Sequence, residues 1–303
     1  VIASAFAWSN GAMVPFAEAT VHASAFALHY GMAVFEGVRC YRRADGRSAV
    51  FRLHDHIVRL FDSAKICGFE IPFAPAAIED ACRQVMKDNG LAEGYIRPLA
   101  LRGAGSLGLG ARDNPIDVVV ICWPWPAALG ASDAGIRTQT SSFVRGHTNN
   151  VMSKAKVTGQ YVISVLAKQE AARLGFDDAL MLDAEGRVVE ASAQNVFMVK
   201  GERVFTPPLE LSILAGITRD TVLTLAREAA IDVVERAFTR DALYAADEVF
   251  LTGTAAEVAP VREVDGRTIG DGAAGPITRK LRAMFFDAVR GSDETHPGWL
   301  QHV

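Results

Sequence analysis

The chain is poor in several features at once. Its 303 residues include only four cysteines, Cys40, Cys67, Cys82 and Cys122, and none stand at CxxC spacing. That argues against a disulfide framework or a thiolate zinc site and suits the reduced thiols of a cytoplasmic protein. No run of Lys or Arg stands out and the net charge is −4, so neither nucleic acid nor an anionic membrane surface is an expected partner. The uncharged stretch Ala19–Phe35 carries Thr20, His22, Ser24, His29 and Gly31, which makes it too polar for a membrane helix. The N-terminal segment lacks the basic region of a signal peptide. There is no GxGxxG after a strand and no GxxxxGK[ST], so nucleotide loops are unsupported; without GxSxG a hydrolase triad has no anchor. His54 and His56 flank Asp55 but lack a third well-spaced ligand, and no metal site is expected.

What remains is ordinary globular material, half apolar and 22% charged. The length suits two domains. Strands are expected at Ala33–Tyr41 and Ala49–Leu53 around an Asp45-Gly46 turn, then at Tyr95–Arg102 and Asp117–Trp123. A helix capped by Asp55 should run through Ile57, Leu60, Ala64 and Ile66 to Gly68, and a second should span Ala76–Asn89. The segment Trp123-Pro-Trp-Pro-Ala-Ala-Leu-Gly130 cannot continue a central strand. It predicts a division into a small N-terminal α/β domain (1–122), a connecting loop (123–133) and a larger C-terminal domain (134–303). In the second half, Val162, Val165, Leu166 and Ala172 predict a helix over Val157–Leu174. A meander should follow at Ala179–Asp183, Val188–Glu190, Val196–Val199 and Val204–Thr206, then a helix at Ile217–Ala230. Strands at Glu248–Leu251 and Glu257–Val261 and a helix at Pro276–Ala288 complete the pattern, an α/β (α+β) chain overall.

Lysines are scarce, seven in all, and Lys154 and Lys156 fall together between a polar turn and a helix. Partial desolvation at such a boundary lowers a lysine's pKa and makes it a nucleophile toward carbonyls; a solvated surface lysine is the plainer alternative. Glu190 ends an apolar strand, where its carboxylate needs a partner, unless it stands on an exposed edge. The pyridinium nitrogen of pyridoxal phosphate is one such partner. Leu214-Ala-Gly-Ile-Thr218 opens a helix and Leu251-Thr-Gly-Thr-Ala-Ala256 is a turn of small residues, both suited to an anion.

These segments together resemble the branched-chain aminotransferases, fold type IV pyridoxal-phosphate enzymes. The resemblance runs from about Val21 to Leu300. It rests on an ordered set: His29-Tyr-Gly-Met-Ala-Val-Phe-Glu-Gly-Val-Arg-Cys40, Phe51-Arg-Leu-His-Asp-His56, Tyr95-Ile-Arg-Pro98, Ala155-Lys156, Leu214-Ala-Gly-Ile-Thr-Arg219, Asp247-Glu-Val-Phe250 and Gly253-Thr-Ala-Ala-Glu257. It implies a barrel-like sheet in the larger domain and pyridoxal 5'-phosphate as cofactor. It further implies amino-group exchange between leucine, isoleucine or valine and 2-oxoglutarate, in a homodimer or higher homo-oligomer.

By the same resemblance, Lys156 forms the Schiff base and Tyr161 bonds the cofactor's phenolic oxygen. Glu190 meets the ring nitrogen, and Arg59, the Ile217 backbone, Thr218 and Thr254 hold the phosphate. Tyr95 with the Thr254–Ala255 amides matches the substrate α-carboxylate site; Arg97, with Tyr30 from the partner subunit, matches the distal-carboxylate site. Phe35, Tyr161 and Trp125, with Leu109 from the partner, match the apolar side-chain pocket. Four positions depart from the family's habit: Ala191, Gln194, Ala215 and Ala128, the last replacing a pocket tyrosine and bearing on substrate range. D-amino-acid and amine transaminases and aminodeoxychorismate lyases share the lysine and glutamate, but Tyr95-Ile-Arg97 and Phe35-Glu-Gly-Val-Arg39 resemble the branched-chain group more. A non-catalytic homologue is the alternative of a different class, and the presence of both Lys156 and Glu190 weighs against it.

Overall fold

The computed structural model describes residues 4–125, 134–147, 149, 152–291 and 295–303. Ala128 and most of the predicted connecting loop lie outside them. The chain forms two compact units: Val1–Pro126 with Ala155–Gln160 and Ala288–Val303, and Ala127–Lys154 with Tyr161–Asp287.

In the first unit, strands β1 (Phe6–Ser9), β2 (Ala12–Pro15), β3 (Ala33–Phe35), β4 (Val38–Arg42), β5 (Ser48–Phe51), β6 (Gly94–Arg102) and β7 (Ile116–Trp123) make one antiparallel sheet. A C-terminal strand, Leu300–His302, pairs with β5 at its edge. The expected strand over Ala33–Tyr41 is therefore two, both paired to β6 and interrupted at Glu36-Gly37. Beyond the short α1 (Phe26–Tyr30), helices α2 (Leu53–Ile66) and α3 (Pro75–Asp88) carry Leu53, Ile57, Leu60, Ile78, Cys82 and Val85 into the core with Val38, Ile96 and Val120. The apolar spacing of 3–4 residues makes this face. Asp55 is not the cap of α2: Arg52 holds that position in left-handed backbone (φ 50°), and Asp55 in the first turn accepts from Arg52 Nε at 2.6 Å.

The second unit's strands are β8 (Ile136–Val144), β9 (Asp178–Leu182), β10 (Val188–Ala191), β11 (Asn195–Lys200), β12 (Arg203–Thr206), β13 (Val233–Glu235), β14 (Glu248–Gly253), β15 (Glu257–Val264) and β16 (Arg267–Thr268). The meander β9 to β12 is present as the spacing predicts. Pairings β10–β9–β8–β15–β14–β11 return to β10, closing six strands into the barrel that the family resemblance implies. Closure leaves those strands without a free edge. Helix α4 (Tyr161–Arg173) corrects the expected Val157–Leu174: the chain first makes a 3-10 turn at Thr158–Gln160. Its buried face is Ser164, Ala167 and Ala171, packed toward Ala179, Met181 and Phe143, while Val162, Val165 and Leu166 are exposed. Helices α5 (Ile217–Glu228), α6 (Arg240–Tyr244) and α7 (Pro276–Arg290) follow, the last buried along Leu281, Phe285 and Val289. Glu248 accepts from the Ile277 and Thr278 backbone N–H groups, meeting the positive end of α7.

Candidate active site

Lys156 stands where the chain returns to the first unit, between Ala155 and Val157, both buried in its core. Its backbone is held on both sides. The Lys156 N–H donates to Ser63 Oγ (3.0 Å), and Phe35 N–H donates to the Lys156 carbonyl (3.1 Å). Its Nζ lies 4.9 Å from the centre of the Phe35 ring. The same ring lies 4.7 Å from the Arg97 guanidinium, which also faces Tyr95 and Trp123. Tyr95 packs against Trp123 and Trp125 at 5.0 and 4.9 Å. Phe35, Tyr95, Arg97, Trp125 and Lys156 therefore belong to one aromatic cluster. Gly37 makes room for it: a Cβ there would lie 1.7 Å from the Tyr95 hydroxyl. Arg97 has its Nε buried without a hydrogen bond, and no carboxylate among the described residues pairs with it. A guanidinium so placed can receive an anion.

Arg59 projects from α2 and belongs to a buried ionic group. Glu36, fully buried, accepts from Arg59 Nε (2.7 Å) and Nη2 (2.9 Å) and pairs with His56 Nδ1 (2.7 Å). Burial works against the Glu36 anion, but Arg59 and His56 outweigh it and hold the carboxyl well below the usual range. Burial also pushes His56 below its usual value, against the pull of Glu36. A neutral imidazole then donates through Nδ1 to the carboxylate. His54 turns to Glu79 instead, so the two histidines serve different partners. Ser63 Oγ donates to the Arg59 carbonyl, tying α2 to the segment that bears Lys156.

Tyr30 and Leu109 stand apart from this cluster. Both line a cavity of about 710 Å³ with Phe26, Met32 and Arg102, and Tyr30 donates to the Leu107 carbonyl. They are exposed at 43% and 80%.

In the second unit, strand register assembles the other group. Glu190 on β10 lies opposite Asn195 on β11, and Asn195 lies opposite Thr252 on β14. Thr252 leads into the turn containing Thr254 and Ala255. Asn195 Nδ2 donates to the Leu214 carbonyl, and Leu214 N–H donates to Glu190 Oε2 (3.0 Å). The segment Leu214–Thr218, which opens α5 with Ile217 and Thr218 buried, is thus fastened beside Glu190. Gly216 allows this: a Cβ would lie 2.0 Å from Asn195 Oδ1. Tyr161 is the first residue of α4. Glu190 is 4% exposed and pairs with Arg145 Nη2 at 2.7 Å. Arg145 in turn donates to Ser164 of α4.

Lys154, the other lysine of the pair, donates to the carbonyls of Leu211 (3.0 Å) and Ile213 (2.8 Å). Burial lowers its pKa. These bonds give it a structural task, fixing the segment whose next amide meets Glu190. Glu36, His56, Ser63, Arg145 and Asn195 are the residues that sequence reasoning left unassigned. Glu36 lies within the Phe-Glu-Gly motif and His56 within Arg-Leu-His-Asp-His, so a signal for both was present. Arg145, 45 positions from Glu190, had none. Among the described residues no group of three His, Cys, Asp or Glu could hold a metal ion, and no helix is long and apolar enough to cross a membrane.

Residues 33–264 match the profile of the amino-transferase class IV family. The chain belongs to that family. It is 47% identical over 294 residues to the branched-chain-amino-acid aminotransferase of Pseudomonas aeruginosa, covering 96% of this chain and 95% of that one. A T.th. branched-chain amino acid aminotransferase complexed with N-(5'-phosphopyridoxyl)-L-glutamate superposes with a TM-score of 0.96 at 45% identity, covering 100% and 99%. The same enzyme complexed with 4-methylvaleric acid gives 0.95 at 44%, with the same coverage. The family resemblance and the fold class read from the sequence are both borne out.

Proposed function

We propose that this class IV aminotransferase exchanges the amino group of leucine, isoleucine or valine with 2-oxoglutarate, using pyridoxal 5'-phosphate. One observation carries the reading: a lysine backbone-anchored beside an aromatic cluster that also holds a guanidinium with no carboxylate partner among the described residues, in a chain that keeps Glu190 as a buried, paired carboxylate. The donor set fits the cofactor. Glu190 offers an acidic partner for a ring nitrogen; the α5 N-terminus, the Thr254–Ala255 turn and Arg59 offer donors for a phosphate. When bound, the cofactor supplies an aldehyde for amines and a protonated ring that withdraws electrons from the substrate's Cα.

The chain's own groups do the rest. Lys156 Nζ would hold the cofactor and, when its amine is free, would move the proton at the substrate's Cα as base and acid. Tyr161, at the start of α4, would donate to the cofactor's phenolic oxygen. Glu190, held by Arg145 and the Leu214 amide, would keep the ring nitrogen protonated. Phe35, Tyr95 and Trp125 offer apolar surface to a branched side chain, and Arg97 takes the distal carboxylate of glutamate. The two ligands of the T.th. enzyme, a phosphopyridoxyl-glutamate and a branched apolar acid, support this dual use.

Borohydride reduction of the yellow holoprotein followed by peptide mapping should place the phosphopyridoxyl group on Lys156; a label on Lys154 would overturn the assignment. Lys156→Ala should abolish turnover, and Glu190→Gln should retain cofactor while lowering kcat by several orders of magnitude. We also propose a homodimer in which Tyr30 and Leu109 serve the neighbouring site. Mixing Lys156→Ala with Tyr30→Ala protein should then restore part of the activity, and no recovery would count against sharing.

A further inference from the structure

The ionic group behind Arg59 has a feature that fold stability alone does not demand. A fully buried carboxylate is costly, and an apolar replacement would often be as stable. Here Glu36 spends both oxygens on orienting one arginine. Oε1 takes Arg59 Nε, Oε2 takes Nη2, and His56 Nδ1 meets Oε2 from the other side. The two parallel bonds fix the guanidinium plane, a constraint that a single contact does not provide. Glu36 is itself fixed: its N–H donates to the Pro98 carbonyl, and the Gly37 N–H reaches Oε2 at 3.3 Å. His56 is 1% exposed and rises from the same helix as Arg59, one turn earlier. One turn further along α2, Ser63 reaches Lys156: it accepts the Lys156 N–H and donates to the Arg59 carbonyl. Among the described residues, the side-chain bonds of the ionic group join His56 to Glu36 and Glu36 to Arg59, so Glu36 and His56 reach the site chiefly through Arg59, although His56 also feels the charge of Lys156.

We propose that Glu36 and His56 are positioning residues that aim Arg59 at the cofactor phosphate, and so set the preference for pyridoxal 5'-phosphate over unphosphorylated pyridoxal. The inference rests on the proposed cofactor reading of Arg59. The preference arises because a guanidinium held in one plane loses less freedom on meeting a phosphate than a mobile one. Without Glu36 the charge of Arg59 survives but its direction does not.

The test is reconstitution of the full-length apoprotein with pyridoxal 5'-phosphate or with pyridoxal, reading each Kd from absorbance. Arg59→Ala should lower the ratio of the two affinities. Glu36→Gln should weaken pyridoxal 5'-phosphate about 10–100-fold, the factor of one charge-assisted hydrogen bond, and leave pyridoxal nearly unchanged. The double variant should bind no more weakly than Arg59→Ala alone. If Glu36→Gln does not fold, His56→Leu should give the same selective loss at smaller amplitude. Equal weakening of both ligands by these variants, or full additivity with Arg59→Ala, would overturn the positioning role. An affinity ratio unaffected by Arg59→Ala would instead remove the phosphate role of Arg59 itself.

Discussion

A carboxylate taken out of water persists as an anion only when its charge is answered nearby, and Glu190 is answered by both a guanidinium and a backbone amide. Arg145→Met should leave that anion stranded. The expected cost is about 3–5 kcal/mol of unfolding free energy, measured by urea denaturation, with loss of activity. Arg145→Lys keeps the charge without the fork and should recover part of both. A variant as stable and active as wild type would remove Arg145 from the site. At Arg97 the expectation differs, because its guanidinium lies over aromatic rings and, among the described residues, has no carboxylate partner. Arg97→Ala should cost glutamate about tenfold or more in kcat/KM beyond its effect on leucine. Equal losses for the two substrates would contradict the distal-carboxylate assignment. The lysine and the glutamate were legible from ordered motifs, since chemistry fixes residue type and local spacing together. Arg145 and Asn195 were not, because barrel closure sets their partnerships and sequence proximity does not.

Elements were read well where burial follows period, and poorly where it does not. Helix α2 shows the first case, its 3–4 spacing placing Leu53, Ile57, Leu60 and Ala64 inward. Helix α4 shows the second. Its large residues Val162, Val165 and Leu166 suggested a helical stripe, yet Ala167 and Ala171 are fully buried because the helix lies close against β8 and β9. Small residues permit that approach and large ones would prevent it. Ala167→Leu should therefore overpack the interface and cost about 1–3 kcal/mol, read as a shift in denaturation midpoint, while Leu166→Ala should cost less. The reverse order would show that the packed face has been misassigned. The strands β1, β8 and Leu300–His302 went unread because their stability comes from partners far along the chain: β1 pairs with β7, β8 with β9 and β15, and Leu300–His302 with β5.

Across the whole molecule, the path of the chain places charged groups where folding and titration are linked. The first unit encloses Glu36 and His56 completely, and both titrate below their ordinary values. The sign is the same for each. A group that folding holds deprotonated binds more protons when unfolded, so stability rises with pH through the window between its folded and unfolded pKa. For His56 that window extends downward from 6.5, its ordinary value; for Glu36 it begins near 4.5. Acidification below pH 6.5 should therefore first withdraw the contribution of His56, and further acid that of Glu36. The denaturant midpoint of the wild-type chain should fall as pH drops from 6.5 toward 5. In His56→Leu that portion of the slope should flatten, while the steeper loss below pH 4.5 persists because Arg59 still holds Glu36 ionised. An unchanged slope in the variant would mean that His56 is not the group whose protonation opposes folding in that range.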